Sequence, residues 1–383
     1  MAIYLDYAAT APMVPEVLTR YTEALQLLGN PSSIHSFGQN ARRMLEESRE
    51  AIALAVNADR NEVIFTAGGT EANNLAIKGL YAERNKEFTK RTKIISAYTE
   101  HHAVIDPIEW LEKNAGAEAV WVPVDEFGEV DYQFYRNYIE QHSDEIALVT
   151  LMLANNETGV ITNIQKFAEV AAQYQIPFHT DAVAAFGHLP IDFESLGIST
   201  LALTAHKIGG PVGVGALVVS RSTKLESQIQ GGGQERGLRS GTMNAAGASA
   251  FARAAEIALK NMSNNHDHNQ KLTEQIRDSV SNIKGAKFSR GHLPGLDHNV
   301  HFTFEGVKSD SLLFLLDQEG ISASAGSACQ AGVARPSHVL IAMGRSEAEA
   351  NGTLRITVGP ETTQAEVDRL LEVLPAVVSQ ARA

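Results

Sequence analysis

The sequence predicts an α/β fold with a large domain built on a mostly parallel seven-stranded sheet and a smaller α+β domain. The first observation is that short β-rich runs alternate with helical patterns between residues 63 and 220. The second is that 44% of the 383 residues are hydrophobic and only 20% are charged, so the chain can bury more than one core. The third is a change of pattern after about Asn261.

The large domain is predicted from strands and helices that follow one another in turn. The seven β-rich runs are 63–66, 93–97, 119–124, 146–151, 177–179, 200–203 and 214–220. Helical patterns fall between them, for example at 71–82, 103–113 and 164–174. Such alternation favours a parallel sheet with helices on both faces, and ligands of such sheets bind at the carboxyl ends of the strands.

The smaller domain is predicted from the segments that follow residue 261. They are helix 267–283, strand 299–304, helix 309–319, strand 353–358 and helix 364–383. Two earlier helices, at 15–28 and 39–56, precede the sheet. We therefore expect a large domain over 15–260 and a small domain formed by 1–14 and 261–383.

Composition excludes several classes of function. A formal net charge of −13 argues against direct nucleic-acid binding through the overall field of the protein. The N-terminus does not resemble a secretory signal, and no apolar stretch approaches the length that crosses a bilayer, so we expect a cytoplasmic protein. A single cysteine excludes an internal disulfide and any CxxC site.

A phosphate site is predicted where the first strand ends, in the segment 66–74. Gly69 and Thr70 lie just before a helix, where backbone amides and the helix N-terminus favour an anion. The Gly-Lys-Ser/Thr ending of a nucleotide P-loop is missing. An ordinary strand-to-helix turn would explain the segment equally well.

Two charged residues near neighbouring strand ends are typical of a pyridoxal-phosphate site. Lys207 follows the run ending near Thr204 and can form a Schiff base with an aldehyde if its amine is partly desolvated. Asp181 follows the run 177–179, and pyridoxal phosphate needs a carboxylate against its protonated ring nitrogen. The alternatives are a solvated lysine and a helix-capping aspartate.

Three further residues are candidates for chemistry. One of His101 and His102 could stack on a flat ring and move protons, whereas their spacing does not suggest a metal site. Cys329 lies in a run of small residues that would leave its thiolate accessible as a nucleophile, although a buried free thiol is the simpler alternative. Arg355 could bind a substrate carboxylate or form a structural ion pair.

A collinear set of motifs resembles the NifS/IscS cysteine desulfurases over nearly the whole chain. The set comprises 5–10, 29–33, 66–74, 99–101, 155–159, 179–182, 206–207, 231–235, 239–242 and 326–329. The resemblance implies a homodimeric sulfurtransferase of the fold-type I class of pyridoxal-phosphate enzymes. Its substrate would be L-cysteine, and its products L-alanine and a persulfide on Cys329.

The resemblance also implies individual roles. Lys207 would hold the cofactor covalently, Asp181 would pair with the ring nitrogen, and His101 would stack on the ring. Phosphate contacts carry over to Thr70, Thr204 and His206, with Thr242 reaching across from the partner subunit; Asn156 and Arg355 match residues that hold the substrate carboxylate. The persulfide would pass to a protein acceptor, either a scaffold of the IscU or SufU kind for iron–sulfur clusters or a tRNA thiouridylase.

Two positions depart from the pattern of these enzymes. Ala184 stands where a glutamine usually hydrogen-bonds the phenolic oxygen of the cofactor, which predicts an altered titration of the bound cofactor. Gln330 stands where serine or threonine is common. The alternatives to a desulfurase are a selenocysteine lyase or another pyridoxal-phosphate lyase of the same fold, and a catalytically impaired scaffold that accepts sulfur.

Overall fold

The structure is a computed structural model that describes residues 2–326 and 336–382. Cys329 and Gln330, for which the sequence makes specific predictions, lie outside the described residues.

The described residues form twelve β-strands and twelve α-helices. The strands are β1 (Ile3–Tyr4), β2 (Val63–Thr66), β3 (Lys93–Ala97), β4 (Glu118–Val122), β5 (Ile146–Thr150), β6 (Phe178–Asp181), β7 (Thr200–Thr204), β8 (Gly215–Val219), β9 (Ala286–Phe288), β10 (Asn299–Phe304), β11 (Ile321–Ser322) and β12 (Thr353–Thr357). The helices are α1 (Pro15–Leu25), α2 (Ser36–Ala55), α3 (Gly69–Glu87), α4 (His102–Ala115), α5 (Tyr132–His142), α6 (Ile164–Gln173), α7 (Phe193–Leu196), α8 (Ala245–Val280), α9 (Ser309–Gln318), α10 (His338–Ala342), α11 (Glu347–Ala350) and α12 (Gln364–Ala381).

The predicted mostly parallel, seven-stranded sheet is confirmed within the described residues. Its strand order is β2-β8-β7-β6-β5-β3-β4, and the neighbours from β7 to β4 pair in parallel. Strand β8 runs antiparallel to both of its neighbours. It returns directly from β7 through a short connection, and that connection carries Lys207.

The large sheet buries apolar side chains on both faces. Leu201 and Leu203 of β7 belong to one core, and Ala202 between them belongs to the core on the opposite face. Alternation of this kind follows from the two-residue repeat of a strand, and it requires helices on both sides of the sheet. Helix α3 packs against one face, where it contacts β6 and β7.

A second core surrounds a smaller set of strands. Strand β10 pairs antiparallel with β9 and β12, and β1 pairs in parallel with β11. Phe302, Leu312 and Leu370 are buried there between the sheet and helices α9 and α12. The N-terminal segment joins this region to the large sheet, since Asp6 bridges to Thr357 and the amide of Ala11 donates to the carbonyl of His206.

One long helix connects the two cores. Helix α8 contains 36 residues, a length of roughly 54 Å. Phe251 near its start lies in the first core and Ile276 near its end lies in the second. The helix predicted over 267–283 overlaps the last part of this element, which ends at Val280, so the boundary predicted at 260/261 falls inside a continuous helix. The division into two domains stays a prediction.

Two strand ends extend further than the sequence indicates. Strand β6 ends at Asp181 and β7 ends at Thr204, so both residues belong to the sheet and not to the loops after it. Among the described residues, no helix combines the length and the apolar composition that crossing a membrane requires.

Candidate active site

A cavity of about 340 Å³ lies at the carboxyl ends of the strands of the large sheet. Its lining comes from the segments after β2, β3, β5, β6 and β7 on one side, and from the N-terminal segment and residues near β11 and β12 on the other. Nine of the residues singled out from the sequence line it: Gly69, Thr70, His101, Asn156, Asp181, Ala184, His206, Lys207 and Arg355.

The N-terminus of α3 forms one wall of the cavity. The first amides of a helix have no partner within the helix, and Gly68 at the N-cap contributes no side-chain cap. Gly69 approaches the loop after β6 so closely that a Cβ atom would meet Cγ2 of Val183 at 2.6 Å. A helix of 19 residues therefore presents its positive end to the cavity, which favours an anion there.

Asp181 supplies a buried carboxylate. It is 5% exposed at the end of β6, and its two oxygens accept from the amide of Val183 at 2.8 Å and from Nδ2 of Asn73 at 2.6 Å. Burial is the largest influence and raises the pKa of Asp181 above its usual value, and these hydrogen bonds and the nearby charge of Lys207 offset only part of that rise. Because both donors are neutral groups, a cation at the cavity would compensate the charge of this carboxylate.

Asn73 belongs to a chain of buried polar side chains behind Asp181. Oδ1 of Asn73 lies 2.9 Å from Nε2 of His179, and Nδ1 of His179 lies 2.8 Å from Oγ1 of Thr200. Burial lowers the pKa of His179 to about 3, so its ring is neutral near pH 7. These hydrogen-bonded side chains belong to α3, β6 and β7, so three elements of the fold support the Asp181 carboxylate.

Lys207 lies in the short connection between β7 and β8. Its Nζ donates a hydrogen bond to the carbonyl of Ala8 in the N-terminal segment. Gly209, two residues later, has φ of +78°, a left-handed conformation that favours glycine and turns the chain back toward β8. The amine therefore reaches the cavity from a tight turn that is held between two strands.

His101 and His102 have different surroundings. His101 lines the cavity, and its Nδ1 accepts from the amide of Ala103 at 3.0 Å as the N-cap of α4. Burial, with the nearby charge of Lys207, lowers the pKa of His101 to about 4. The neutral ring must then carry its proton on Nε2. His102 instead pairs with Asp106 at 2.9 Å.

Arg355 is already paired on the opposite side of the cavity. Its Nη2 donates to Oδ1 of Asp6 at 2.8 Å and its Nη1 donates to the carbonyl of Asn156 at 2.8 Å. The ion pair that the sequence left open as an alternative therefore exists. Nε of Arg355 and Oδ1 of Asn156, which both belong to this side of the cavity, are among the buried polar side-chain atoms of the described residues that have no hydrogen-bond partner.

Comparisons with a family model and with individual known proteins point to the same family. The aminotransferase class-V family matches residues 3–370. A protein of Mycobacterium tuberculosis named "IscS-like cysteine desulfurase" is 44% identical over 99% of this chain and 97% of its own. The chain belongs to the NifS/IscS-like cysteine desulfurases within the class-V aminotransferases. The predicted family resemblance is thereby confirmed.

Solved structures of this family share the fold. A "NIFS-LIKE PROTEIN" superposes with a TM-score of 0.91 at 31% identity, covering 99% of this chain and all of its own. A structure titled "SspA in complex with cysteine" superposes with a TM-score of 0.81 at 33% identity, covering 94% of this chain and all of its own. The NifS/IscS-like enzymes depend on pyridoxal phosphate, and the described residues supply the lysine, the buried carboxylate and the helix N-terminus that this cofactor requires.

Two predicted positions do not line the cavity of this NifS/IscS-like protein, and a third lies outside the described residues. Thr204 is buried, with Oγ1 lying 3.5 Å from the carbonyl of Val214, and Thr242 is exposed. Neither lines the cavity within one chain, and their phosphate contacts stay predictions. Cys329 lies outside the described residues. Ala184 does line the cavity and has no side-chain donor to offer a cofactor.

The sequence reasoning missed three contributors to the site. Asp6 pairs with Arg355, the carbonyl of Ala8 accepts from Lys207, and Asn73 donates to Asp181. Asp6 and Asn73 fall within motifs of the NifS/IscS-like pattern, which was the available signal. Neither could be assigned a partner, because those partners lie 349 and 108 residues away along the chain.

A group of potential metal ligands lies elsewhere in the described residues. The ligand atoms of His188, Asp297 and His298 lie within 4.8 Å of one another. The two imidazole rings stack face to face, with centroids 3.8 Å apart and planes 22° apart. Stacked rings direct their nitrogen lone pairs side by side and not toward a common point, so we assign no metal to this group.

Proposed function

We propose that this protein is a pyridoxal-phosphate-dependent cysteine desulfurase that converts L-cysteine to L-alanine and leaves the sulfur as a persulfide on Cys329. The observation that carries the proposal is the meeting of Lys207, Asp181, His101 and the N-terminus of α3 around one cavity. The full-length similarity to a protein named as a cysteine desulfurase, and to a structure whose title mentions cysteine, supports the choice of substrate.

The sheet side of the cavity would hold the cofactor. The N-terminus of α3 would bind its phosphate, Lys207 would provide the amine that bonds to its aldehyde, and Asp181 would pair with its ring nitrogen. When bound, pyridoxal phosphate supplies an electron sink for charge that develops on the substrate. The neutral donors around Asp181 leave its negative charge available for this pairing.

His101 would act as a neutral hydrogen-bond donor from Nε2. With a pKa of about 4, the ring is uncharged near pH 7, and Nδ1 is occupied by the amide of Ala103. The proton that His101 holds at Nε2 is therefore the one available to a ligand in the cavity.

The opposite side would bind and orient L-cysteine. Arg355 would bind the substrate carboxylate by sharing or exchanging its contact with Asp6, and Asn156 lines the cavity beside it. Sulfur transfer breaks the Cβ–S bond of the substrate and forms an S–S bond on the Cys329 thiolate. The substrate carbon takes a proton in place of sulfur, so L-alanine and the persulfide account for every atom without an external oxidant.

Simultaneous measurement of sulfide and alanine tests this proposal. Purified protein loaded with pyridoxal phosphate is incubated with L-cysteine and a thiol reductant, beside the Cys329→Ala and Lys207→Ala variants. We expect equal amounts of both products from the wild type. Cys329→Ala should form neither product and keep the yellow absorbance of the bound cofactor, whereas Lys207→Ala should lose both activity and that absorbance.

The contrary outcomes are distinct. Alanine that is unaffected by Cys329→Ala would indicate a lyase of the same fold, such as a selenocysteine lyase. No turnover by a wild type that does bind the cofactor would favour the impaired scaffold.

We further propose a homodimer that passes the persulfide sulfur to a protein acceptor for iron–sulfur cluster assembly or tRNA thiolation. Exposed apolar side chains at Leu28, Ile34 and Val212 support an interface with a second copy. Light scattering after gel filtration tests the dimer. If Thr242 of the partner subunit binds the phosphate, Thr242→Val should weaken cofactor binding without changing the oligomeric state.

A further inference from the structure

The side chains behind Asp181 form a continuous hydrogen-bonded chain that ends inside the protein. Thr200 and His179 have no solvent exposure, and Asn73 is 1% exposed. His179 and Asp181 lie two residues apart on β6, so both point to the same face of the sheet, where α3 brings Asn73. Thr200 is the register partner of His179 on β7. The chain is therefore fixed by strand pairing and by helix packing.

The ionised carboxylate of Asp181 at one end of this series of hydrogen bonds determines which group donates and which accepts in each of them. An ionised Asp181 can only accept, so Nδ2 of Asn73 donates to it. Oδ1 of Asn73 then faces His179 as an acceptor, which requires the ring proton on Nε2. Nδ1 of the neutral ring is left as an acceptor, so the hydroxyl of Thr200 must donate to it.

We propose that Asn73, His179 and Thr200 are positioning residues that hold Asp181 in its ionised form, ready to pair with the protonated ring nitrogen of the cofactor. This inference rests on the proposed function for its ligand. The hydrogen bonds that Asp181 accepts from Asn73 and Val183 stabilise the ionised carboxylate more than they stabilise the protonated acid. The buried and mutually satisfied arrangement therefore opposes a protonation that burial alone would favour.

The other titratable groups near Asp181 do not take over the task of holding its carboxylate in the ionised form. Glu100 is buried, and burial together with the charge of Asp181 raises the pKa of Glu100 well above its usual value, while Lys207 lowers the pKa of Asp181. His101 faces Lys207 across the cavity and is neutral near pH 7. Asn73 is the side chain that donates directly to the carboxylate, and the positions behind it orient that donor.

Thr200 offers a matched pair of variants. Thr200→Val keeps the shape of the side chain and removes the terminal donor, whereas Thr200→Ser keeps the hydroxyl. The readout is the pH midpoint at which the visible absorbance of the bound cofactor changes, measured together with the cofactor dissociation constant. A positive ring nitrogen repels the proton on the nearby lysine–cofactor linkage, so a weakened Asp181 pairing should move the midpoint to higher pH.

The expected effects are graded along the chain. Asn73→Leu, which removes the direct donor, should weaken cofactor binding roughly 10- to 100-fold, and Thr200→Val roughly 3- to 10-fold. Thr200→Ser should remain within about twofold of the wild type. A midpoint that stays fixed in both Asn73→Leu and Thr200→Val would overturn the inference, even if those proteins are less stable to urea, because a purely structural role would not move the midpoint.

The cofactor-free protein provides an independent test. Nitrogen-15 spectra of its histidines, with the His179 signal assigned by its loss in His179→Gln, should give the Nε2–H tautomer at neutral pH. An Nδ1–H tautomer would overturn the direction of the chain. A wild type that takes up no pyridoxal phosphate would instead overturn the proposed function, so the two failures are distinguishable.

Discussion

The buried charges on the two sides of the cavity are compensated by different kinds of groups. On the sheet side, the Asp181 carboxylate accepts hydrogen bonds from two neutral donors, Asn73 and Val183. On the opposite side, the Arg355 guanidinium is already paired with the carboxylate of Asp6. The sheet side is therefore prepared for a cation that arrives with the cofactor, whereas the opposite side must share or exchange a partner when a carboxylate binds.

This difference follows from the elements that build each side. Asp181 and its supporting side chains lie on paired strands and on one packed helix, which hold them without help from a ligand. Arg355 lies on β12, but Asp6 comes from the N-terminal segment, which contacts β12 through hydrogen bonds with Thr357. We expect tight, persistent binding on the sheet side and weaker, exchangeable binding on the other.

The largest expected effect comes from removing the charge on the sheet side. Asp181→Asn keeps the shape and removes the carboxylate, so it should weaken binding of pyridoxal phosphate by roughly 10- to 100-fold, the cost of a charge-assisted hydrogen bond. Fluorescence titration of the cofactor-free protein measures this. Asp278→Asn, at an exposed position near the end of α8, is the matched control and should bind the cofactor as the wild type does.

The large sheet and the smaller sheet each bury a histidine, and both histidines should make the stability of the protein depend on pH. Burial lowers the pKa of His179 in the large region and of His301 in the small region to about 3. In the unfolded chain an imidazole takes up its proton near pH 6.5, so between pH 6.5 and 3 the unfolded state binds more protons. The free energy of unfolding should therefore fall as the pH falls through this range, by about 1.4 kcal/mol per pH unit for each histidine.

Urea unfolding at a series of pH values between 7 and 5 measures that slope. His301→Gln should flatten it, whereas His292→Gln, at an exposed position, should leave it unchanged. Equal slopes in the wild type, His301→Gln and His292→Gln would contradict the conclusion that His301 is buried as a neutral ring.

A smaller change is expected where Ala184 replaces the glutamine common among these enzymes. Ala184→Gln would offer a donor to the phenolic oxygen of the cofactor and stabilise its negative charge. The pH midpoint of the absorbance change should then move down by about one unit, equivalent to about 1.4 kcal/mol. Ala184→Leu fills similar space without a donor and serves as the control. An unmoved midpoint in Ala184→Gln would show that residue 184 does not reach that oxygen.

The smallest expected effect tests the opposite side. Asp6→Asn removes the carboxylate that competes for Arg355, so the KM for L-cysteine should fall by about two- to fivefold. The affinity for pyridoxal phosphate should remain unchanged, because Asp6 belongs to the other side of the cavity. Initial-rate kinetics with a parallel cofactor titration separate the two quantities. A higher KM would mean that Asp6 orients Arg355 and does not compete with the substrate.

Local sequence patterns predicted much of the fold. Strand β10 matches the predicted 299–304, and helix α6 begins at the predicted residue. The signals were short-range: β-branched residues at two-residue spacing, and apolar residues at helical spacing. The continuity of α8 was missed because residues 260–268, apart from Met262, are polar where the helix passes between the two cores, so the periodic apolar pattern is interrupted there.

The sequence by itself determined the fold class, the family and the residue types at the candidate site, because these depend on local periodicity and on motifs in a fixed order. Only the tertiary structure decided that Asp6 neutralises Arg355 and that Asn73 connects His179 to Asp181. The physical reason is that a charge is compensated by whatever lies near it in space. Residues 349 positions apart become neighbours only when the N-terminal segment bridges to β12, and no local pattern records that contact.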